Sequence, residues 1–224
     1  MGDSLYKSKK IESILDKYNF KVKSALNVGC GGALHKSVSE PYFNKGYNMI
    51  GVDISEEYLK QFSQIFNTDV VQANVMALPF RSNNFDIINF TDLVEHLHHP
   101  LLGLSEAQRV LKTGGVIILT TNNHCAFSLR CINPLVFVEK ITSLYYDNIL
   151  PHRTIIGRWM DFNFYHTEFS KNEITKLIKA AGFEILSFET QFPRSNMGKI
   201  TKLFKKLPAL KFMCSEFMII GKKK

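Results

Sequence analysis

Residues 25–34 read ALNVGCGGAL, an apolar run that halts at three glycines within four positions and then resumes as a helix-like pattern. A glycine-rich turn at that place lets backbone approach a ligand closely and aims the amides of the next helix at it. The feature gains force from what surrounds it. KSALNV, YNMIGVD, VVQAN, FDIINF and GGVIILTT are strand-like runs rich in Val and Ile and bounded by Gly, Asn or Asp. Between them lie helical patterns over 34–45, 56–66 after the cap Ser55, and 100–112 ending at Gly114-Gly115. Strand–helix alternation predicts right-handed βαβ units and an α/β fold, a doubly wound, mostly parallel sheet covered on both faces.

After the fifth strand the rhythm breaks. Residues 123–168 read as an insertion heavy in aromatics, with one helix expected around 134–147 and the role of an acceptor-site lid. Regularity returns with SKNEITKLIKAAGF, where Ser170 and Glu173 form a capping box and Gly182 ends the helix. EILSFET and EFMIIG are the last two strands, which brings the sheet to seven. With 224 residues, 45% of them hydrophobic, the chain is a single domain, 1–224, with decorations.

No window holds the roughly 18 apolar residues of a membrane span, and the first twenty residues lack the apolar core of a signal peptide. Cys30, Cys125, Cys131 and Cys214 form no CxxC pair, which predicts reduced thiols in a cytoplasmic protein and neither a disulfide framework nor a zinc knuckle. The net charge of +8 is concentrated at one end: residues 194–224 hold nine Lys or Arg and one acid, which leaves nineteen of each sign elsewhere. A neutral body argues against a nucleic-acid partner, whose binders spread charge over a whole face.

The turn alone does not name a ligand. A dinucleotide fingerprint would need glycine at position 34, where Leu34 stands. Asp53, closing the second strand, is the acid suited to ribose hydroxyls. Taken with VVQANVMALPF, SNNFDIINF, LVEHLHHP and EAQRVLKTGGVIILTT, the stretch resembles the class I S-adenosylmethionine-dependent methyltransferases, in particular the subgroup acting on small molecules and lipids. The resemblance covers about residues 24–121 and, more loosely, 169–183. It implies a Rossmann-like sheet whose last strand is antiparallel, S-adenosylmethionine as cofactor, and methyl transfer to an O or C nucleophile of a small-molecule or lipidic acceptor.

Carried onto this chain, it assigns Gly29 and Gly31 to the loop beneath the methionine moiety, Asp53 to the ribose diol and Ile54 to the adenine face. Asn74 and Val75 fall at the adenine edge, and Thr91 lies beside the methionine part. Asn27 stands where the family often has an acid and Asn74 where it usually has Asp; Ala33 replaces the third glycine of the loop. Asn keeps an acceptor and adds a donor, so the expected consequence is weaker cofactor binding through the loss of two negative charges.

Methyl transfer from a sulfonium needs chiefly alignment and exclusion of water; a base is needed only for an acceptor that must lose a proton. The (Asp/Asn)-Pro-Pro-aromatic tetrapeptide of nucleobase amino methyltransferases is absent, since Thr91-Asp92-Leu93-Val94 occupies its place. Base candidates are His124, His152 and His166, with His166 and His124 put forward as catalytic. The Asp92-x-x-Glu95-His96 spacing is similar to the metal-binding pattern of coenzyme-Q-pathway O-methyltransferases. Glu-His-Leu recurs across the subgroup as plain helix-start architecture, however, and no metal is assigned.

Residues 190–213 form a basic insertion between the last two strands. Within it, KITKLFKKLPALKF (199–212) sets Ile200, Leu203, Phe204 and Leu207 opposite Lys199, Lys202, Lys205 and Lys206. Such a helix fits a membrane surface or an apolar stripe packed beside the substrate site. Two further functional classes stay open: a cofactor-binding module that no longer catalyses, and an RNA methyltransferase.

Overall fold

The computed structural model describes the backbone of residues 2–123, 154–159, 162–191 and 216–224, and side chains over 5–123, 167–190 and 216–224. The expected helix at 134–147, the basic segment 199–212, and His124 and His152 lie outside the described residues.

Seven strands form one sheet: β1 (Ser24–Val28), β2 (Asn48–Asp53), β3 (Val70–Gln72), β4 (Phe85–Thr91), β5 (Leu111–Asn122), β8 (Phe183–Gln191) and β9 (Glu216–Lys223). Their order is β3-β2-β1-β4-β5-β9-β8. The pairs among β1 to β5 are parallel, whereas β9 runs antiparallel to both β5 and β8. This is the doubly wound sheet that the sequence predicts, with the antiparallel last strand that the resemblance implies. Its winding reverses between β1 and β4, and the crevice beyond the carboxyl ends of strands at such a switch point is where open α/β sheets bind ligands.

Each face is covered as the apolar spacing requires. Ile11, Ile14 and Leu15 of α1 (Gly2–Tyr18), Val38 and Tyr42 of α2 (Lys36–Asn44), and Leu59 and Phe62 of α3 (Glu56–Phe66) pack with Ala25, Met49, Ile87, Ile118 and Ile220. On the other face, Leu104 and Ala107 of α4 (Pro100–Val110) and Ile174 and Ile178 of α5 (Lys171–Ala180) meet Leu26, Ile88, Ile117 and Ile219. At about 1.5–3 kcal/mol for each fully buried large aliphatic side chain, both layers contribute substantially to stability.

The local signals act as their chemistry dictates. Ser55 accepts a hydrogen bond from the Tyr58 amide at 3.4 Å and starts α3, while Asn67, at φ +48°, ends it. Ser170 and Glu173 make the capping box of α5, with the Ser170 amide donating to Glu173 at 2.8 Å. Two boundaries differ from expectation. A 3-10 turn over Gly32–His35 precedes α2, which begins at Lys36. Helix α4 stops at Val110 because Leu111 turns extended and pairs with Phe85; Gly114-Gly115 lies inside β5, where the register jumps from Phe85↔Leu111 to Ile87↔Val116. Within the insertion the described part is a hairpin, β6 (Thr154–Trp159) and β7 (Phe162–Thr167), against which the short turn Val94–His96 packs.

Candidate cofactor and acceptor site

At the switch point β1 ends in the glycine turn. The amides of Gly29 and Cys30 both donate to the Val52 carbonyl, at 2.8 and 3.0 Å, which folds the turn across the end of β2. Gly29 and Gly31 take φ +68° and +61°, a left-handed conformation costly for any residue with a Cβ. Space forbids one as well: a Cβ on Gly29 would meet Leu93 at 2.9 Å, and one on Gly31 would collide with the His35 ring. The Leu93 contact brings the loop after β4 directly onto the loop after β1.

Asp53 closes the arrangement. Its Oδ2 accepts from the Gly31 amide at 3.0 Å and its Oδ1 from the Ser55 amide at 2.9 Å. The carboxylate is thereby fixed at the mouth of the turn with lone pairs left over. Beside it Ile54 is 67% exposed, an apolar side chain presented to solvent where an aromatic ring could cover it. Asn74 is exposed one strand further, its Oδ1 accepting from the Met76 amide at 2.9 Å.

The other expected residues sit behind this surface. Val75 is buried in the core against α4. Asn27, 1% exposed, donates to Ser39 Oγ at 3.0 Å and accepts from Asn89 Nδ2 at 2.8 Å. Asn89 also donates to Thr91 Oγ1 at 3.2 Å and accepts from the Tyr42 hydroxyl at 3.3 Å. Asn27 and Thr91 thus share a buried network of neutral groups under the site. His166 lies on β7 opposite Ile155; its side chain, like all of His124, falls outside the described residues.

Sequence reading missed Lys7 and Glu216, which join Asp92 at the end of β4. Lys7, on α1 and only 7% exposed, reaches Asp92 at 2.6 Å and Glu216 at 2.7 Å. Burial works against the Lys7 ammonium, but the two carboxylates outweigh it and hold its pKa above the ordinary value. Burial likewise opposes the Asp92 carboxylate, and Lys7, the Thr120 hydroxyl and His35 together hold its pKa below the ordinary range. His35, desolvated and close to Lys7, is shifted downward, with Asp92 and Asp53 opposing. Glu95 is completely buried, and desolvation, reinforced by Asp92, pushes its carboxyl up to about 8. No pattern of short range links Lys7 or Glu216 to Asp92; only the fold brings positions so distant together.

Among the described residues no group of three His, Cys, Asp or Glu side chains could hold a metal ion, and no helix is long and apolar enough to cross a membrane.

Residues 26–119 match the family model described as a methyltransferase domain. The chain is 29% identical over 171 residues to the ubiquinone biosynthesis O-methyltransferase of Dinoroseobacter shibae, covering 74% of this chain and 61% of that protein. It is 30% identical over 140 residues to the demethylmenaquinone methyltransferase of Protochlamydia amoebophila, covering 58% of this chain and 53% of that one. The chain therefore spans less than two thirds of the length of either relative. Among solved structures, an S-adenosylmethionine-dependent methyltransferase from Methanosarcina mazei superposes with a TM-score of 0.66 at 19% identity, covering 94% of this chain and 96% of that one. The glycine turn tied to Asp53 at the switch point lies within the matched segment: the chain carries a methyltransferase domain over residues 26–119, in the fold of the S-adenosylmethionine-dependent methyltransferases.

Proposed function

We propose that this chain transfers a methyl group from S-adenosylmethionine to an oxygen (or carbon) nucleophile of a small-molecule or lipidic acceptor, of the kind a quinone precursor exemplifies. The observation that carries the reading is the Asp53 carboxylate held by the Gly31 and Ser55 amides at the mouth of the turn. Asp53 is suited to accept two hydrogen bonds from a ribose diol, Ile54 to cover an adenine face, and Gly29 and Gly31 to admit the methionine part. Asn74 and Val75 would flank the adenine edge, while Asn27 and Thr91 support the loops from beneath. When bound, the cofactor supplies an electrophilic methyl group on a sulfonium. The chain's own contribution is to orient the acceptor and exclude water.

On the acceptor side, His166 and His124 are carried forward as groups that contact the acceptor, with residues 123–168 as its lid. The names of the two quinone-pathway relatives support a phenolic or quinone-like acceptor, and residues 199–212 are proposed to hold the chain at an anionic membrane surface where such compounds reside. Incubating the protein with methyl-labelled S-adenosylmethionine and a panel of catechols, dihydroxybenzoates and demethylated quinones tests the reaction. Label passing into the organic-soluble acceptor is expected; none passing to any member would contradict it. Co-flotation with anionic liposomes, lost when Lys199, Lys202, Lys205 and Lys206 are neutralised, checks the membrane contact.

A further inference from the structure

The described side chains contain three buried polar atoms in one place with no hydrogen-bond partner: both carboxylate oxygens of Glu95 and the hydroxyl of Thr121. The Thr121 hydroxyl bears on the Glu95 carboxylate and opposes the effect of burial on it, yet neither group makes a hydrogen bond of good geometry. Desolvating a carboxyl group and leaving it unpaired costs several kcal/mol, and buried polar groups in folded proteins are otherwise nearly always satisfied. Such a cluster persists where a ligand completes it.

Its position indicates which ligand. Glu95 lies in the turn Val94–His96, just beyond the carboxyl end of β4, two residues from the Leu93 that rests on Gly29. Thr121 stands at the carboxyl end of the adjoining strand β5, one residue past Thr120, whose hydroxyl donates to Asp92. Strand alternation turns Thr121 to the opposite face from Thr120, the face covered by α4 and α5. The neighbouring Val94, Phe169 and Phe217 belong to the apolar cluster there, and the turn is packed by β7 of the insertion. The unpartnered groups therefore lie on the insertion's side of the crevice, past the glycine turn, in apolar surroundings.

We propose that Glu95 and Thr121 form the subsite for the acceptor's hydroxyl group, with Thr121 hydrogen-bonding the acceptor oxygen and Glu95 taking its proton. The proposal rests on the O-methylation reading above. In the step, which uses the ionised Glu95 that prevails above a pH of about 8, the acceptor O–H bond breaks, its proton joins a Glu95 carboxylate oxygen, and its electron pair remains on the acceptor oxygen. That oxygen forms the new bond to the methyl carbon, and the pair of the broken C–S bond stays on sulfur. A carboxylate made more basic by burial suits a phenolic hydroxyl. The charged groups that bear on Glu95 are Asp92, beyond β4, and Lys7, on α1.

Wild-type, Glu95→Gln and Thr121→Val chains, each saturated with S-adenosylhomocysteine, are titrated at pH 9, where Glu95 is ionised, with catechol and, separately, with 1,2-dimethoxybenzene in a calorimeter. Catechol is expected to bind the wild type and to weaken tenfold or more in Glu95→Gln and threefold or more in Thr121→Val. The dimethoxy compound, without a proton to give, is expected to bind all three chains alike. Equal catechol affinity in the wild type and both variants overturns the subsite, as does a wild type that binds S-adenosylhomocysteine but no catechol. A wild type that binds no S-adenosylhomocysteine overturns the methyl-transfer reading and the subsite with it. Thr121→Val carries the test alone if Glu95→Gln fails to fold.

Discussion

Two asparagines occupy positions where the family resemblance implies acids, and the structure separates them. Asn74 is exposed and its oxygen caps a local turn, so an aspartate there can keep that bond. Asn74→Asp is expected to leave stability within about 0.5 kcal/mol and to tighten S-adenosylhomocysteine binding, measured by calorimetry. Asn27 is locked between Ser39 and Asn89 in a network without charge. Asn27→Asp would bury a carboxylate there and lose the donor to Ser39, at a cost of about 1–3 kcal/mol visible in urea unfolding.

Glu95 adds a pH signature at the same scale. In the unfolded chain its carboxyl titrates near ~4.3; in the fold it titrates at about 8, raised chiefly by burial. Between those values the folded state keeps a proton that the unfolded state releases. The corresponding stability is complete below ~4.3 and falls as pH rises, until it is gone above about 8. Thermal unfolding from pH 5 to 9 is therefore expected to show the wild type losing ground steadily to Glu95→Gln. A constant difference between the two would contradict the burial of an ionisable Glu95.

At the scale of elements, the strands of the sheet and four of the helices were legible because their signals are local. β-branched runs end at turn residues, Ser55 and Ser170 cap helices, and Asp53 follows its strand directly. What was not legible depends on distant partners. Helix α1 shows only a modest apolar stripe and gains its place by burying Ile11, Ile14 and Leu15 and by seating Lys7 between Asp92 and Glu216. The hairpin β6–β7 sits in an aromatic stretch whose composition suits helix and strand equally. Helix α4 ran two residues too long on paper, since nothing local tells Leu111 that Phe85 will pair with it. Lys7 also fastens α1 to β9 and to the residue that follows β4. Lys7→Met keeps the side chain's bulk but strands two partly buried carboxylates, and a loss of about 2–3 kcal/mol is expected in urea unfolding. That is below the usual 3–5 kcal/mol for a broken buried pair because Asp92 keeps 29% side-chain exposure.

For the molecule as a whole, the doubly wound sheet and the glycine turn at the switch point follow from the order of short patterns along the chain, whereas the antiparallel last strand is implied by the family resemblance. Gly29, Gly31, Asp53 and Ile54, the residues proposed for the cofactor, are close in sequence or lie at strand ends, so local patterns suffice to bring them together. The acceptor side was not legible, because Glu95 and Thr121 become a pair only when β4 and β5 lie side by side. The central claim is that Asp53, fixed by the turn, holds the ribose of S-adenosylmethionine. Titrating S-adenosylhomocysteine into the wild type and Asp53→Ala in a calorimeter tests it most directly. Losing charge-assisted hydrogen bonds worth about 1.5–3 kcal/mol each predicts one site in the wild type and affinity at least tenfold weaker in the variant. Equal affinity in both, or no binding by the wild type, would contradict the account.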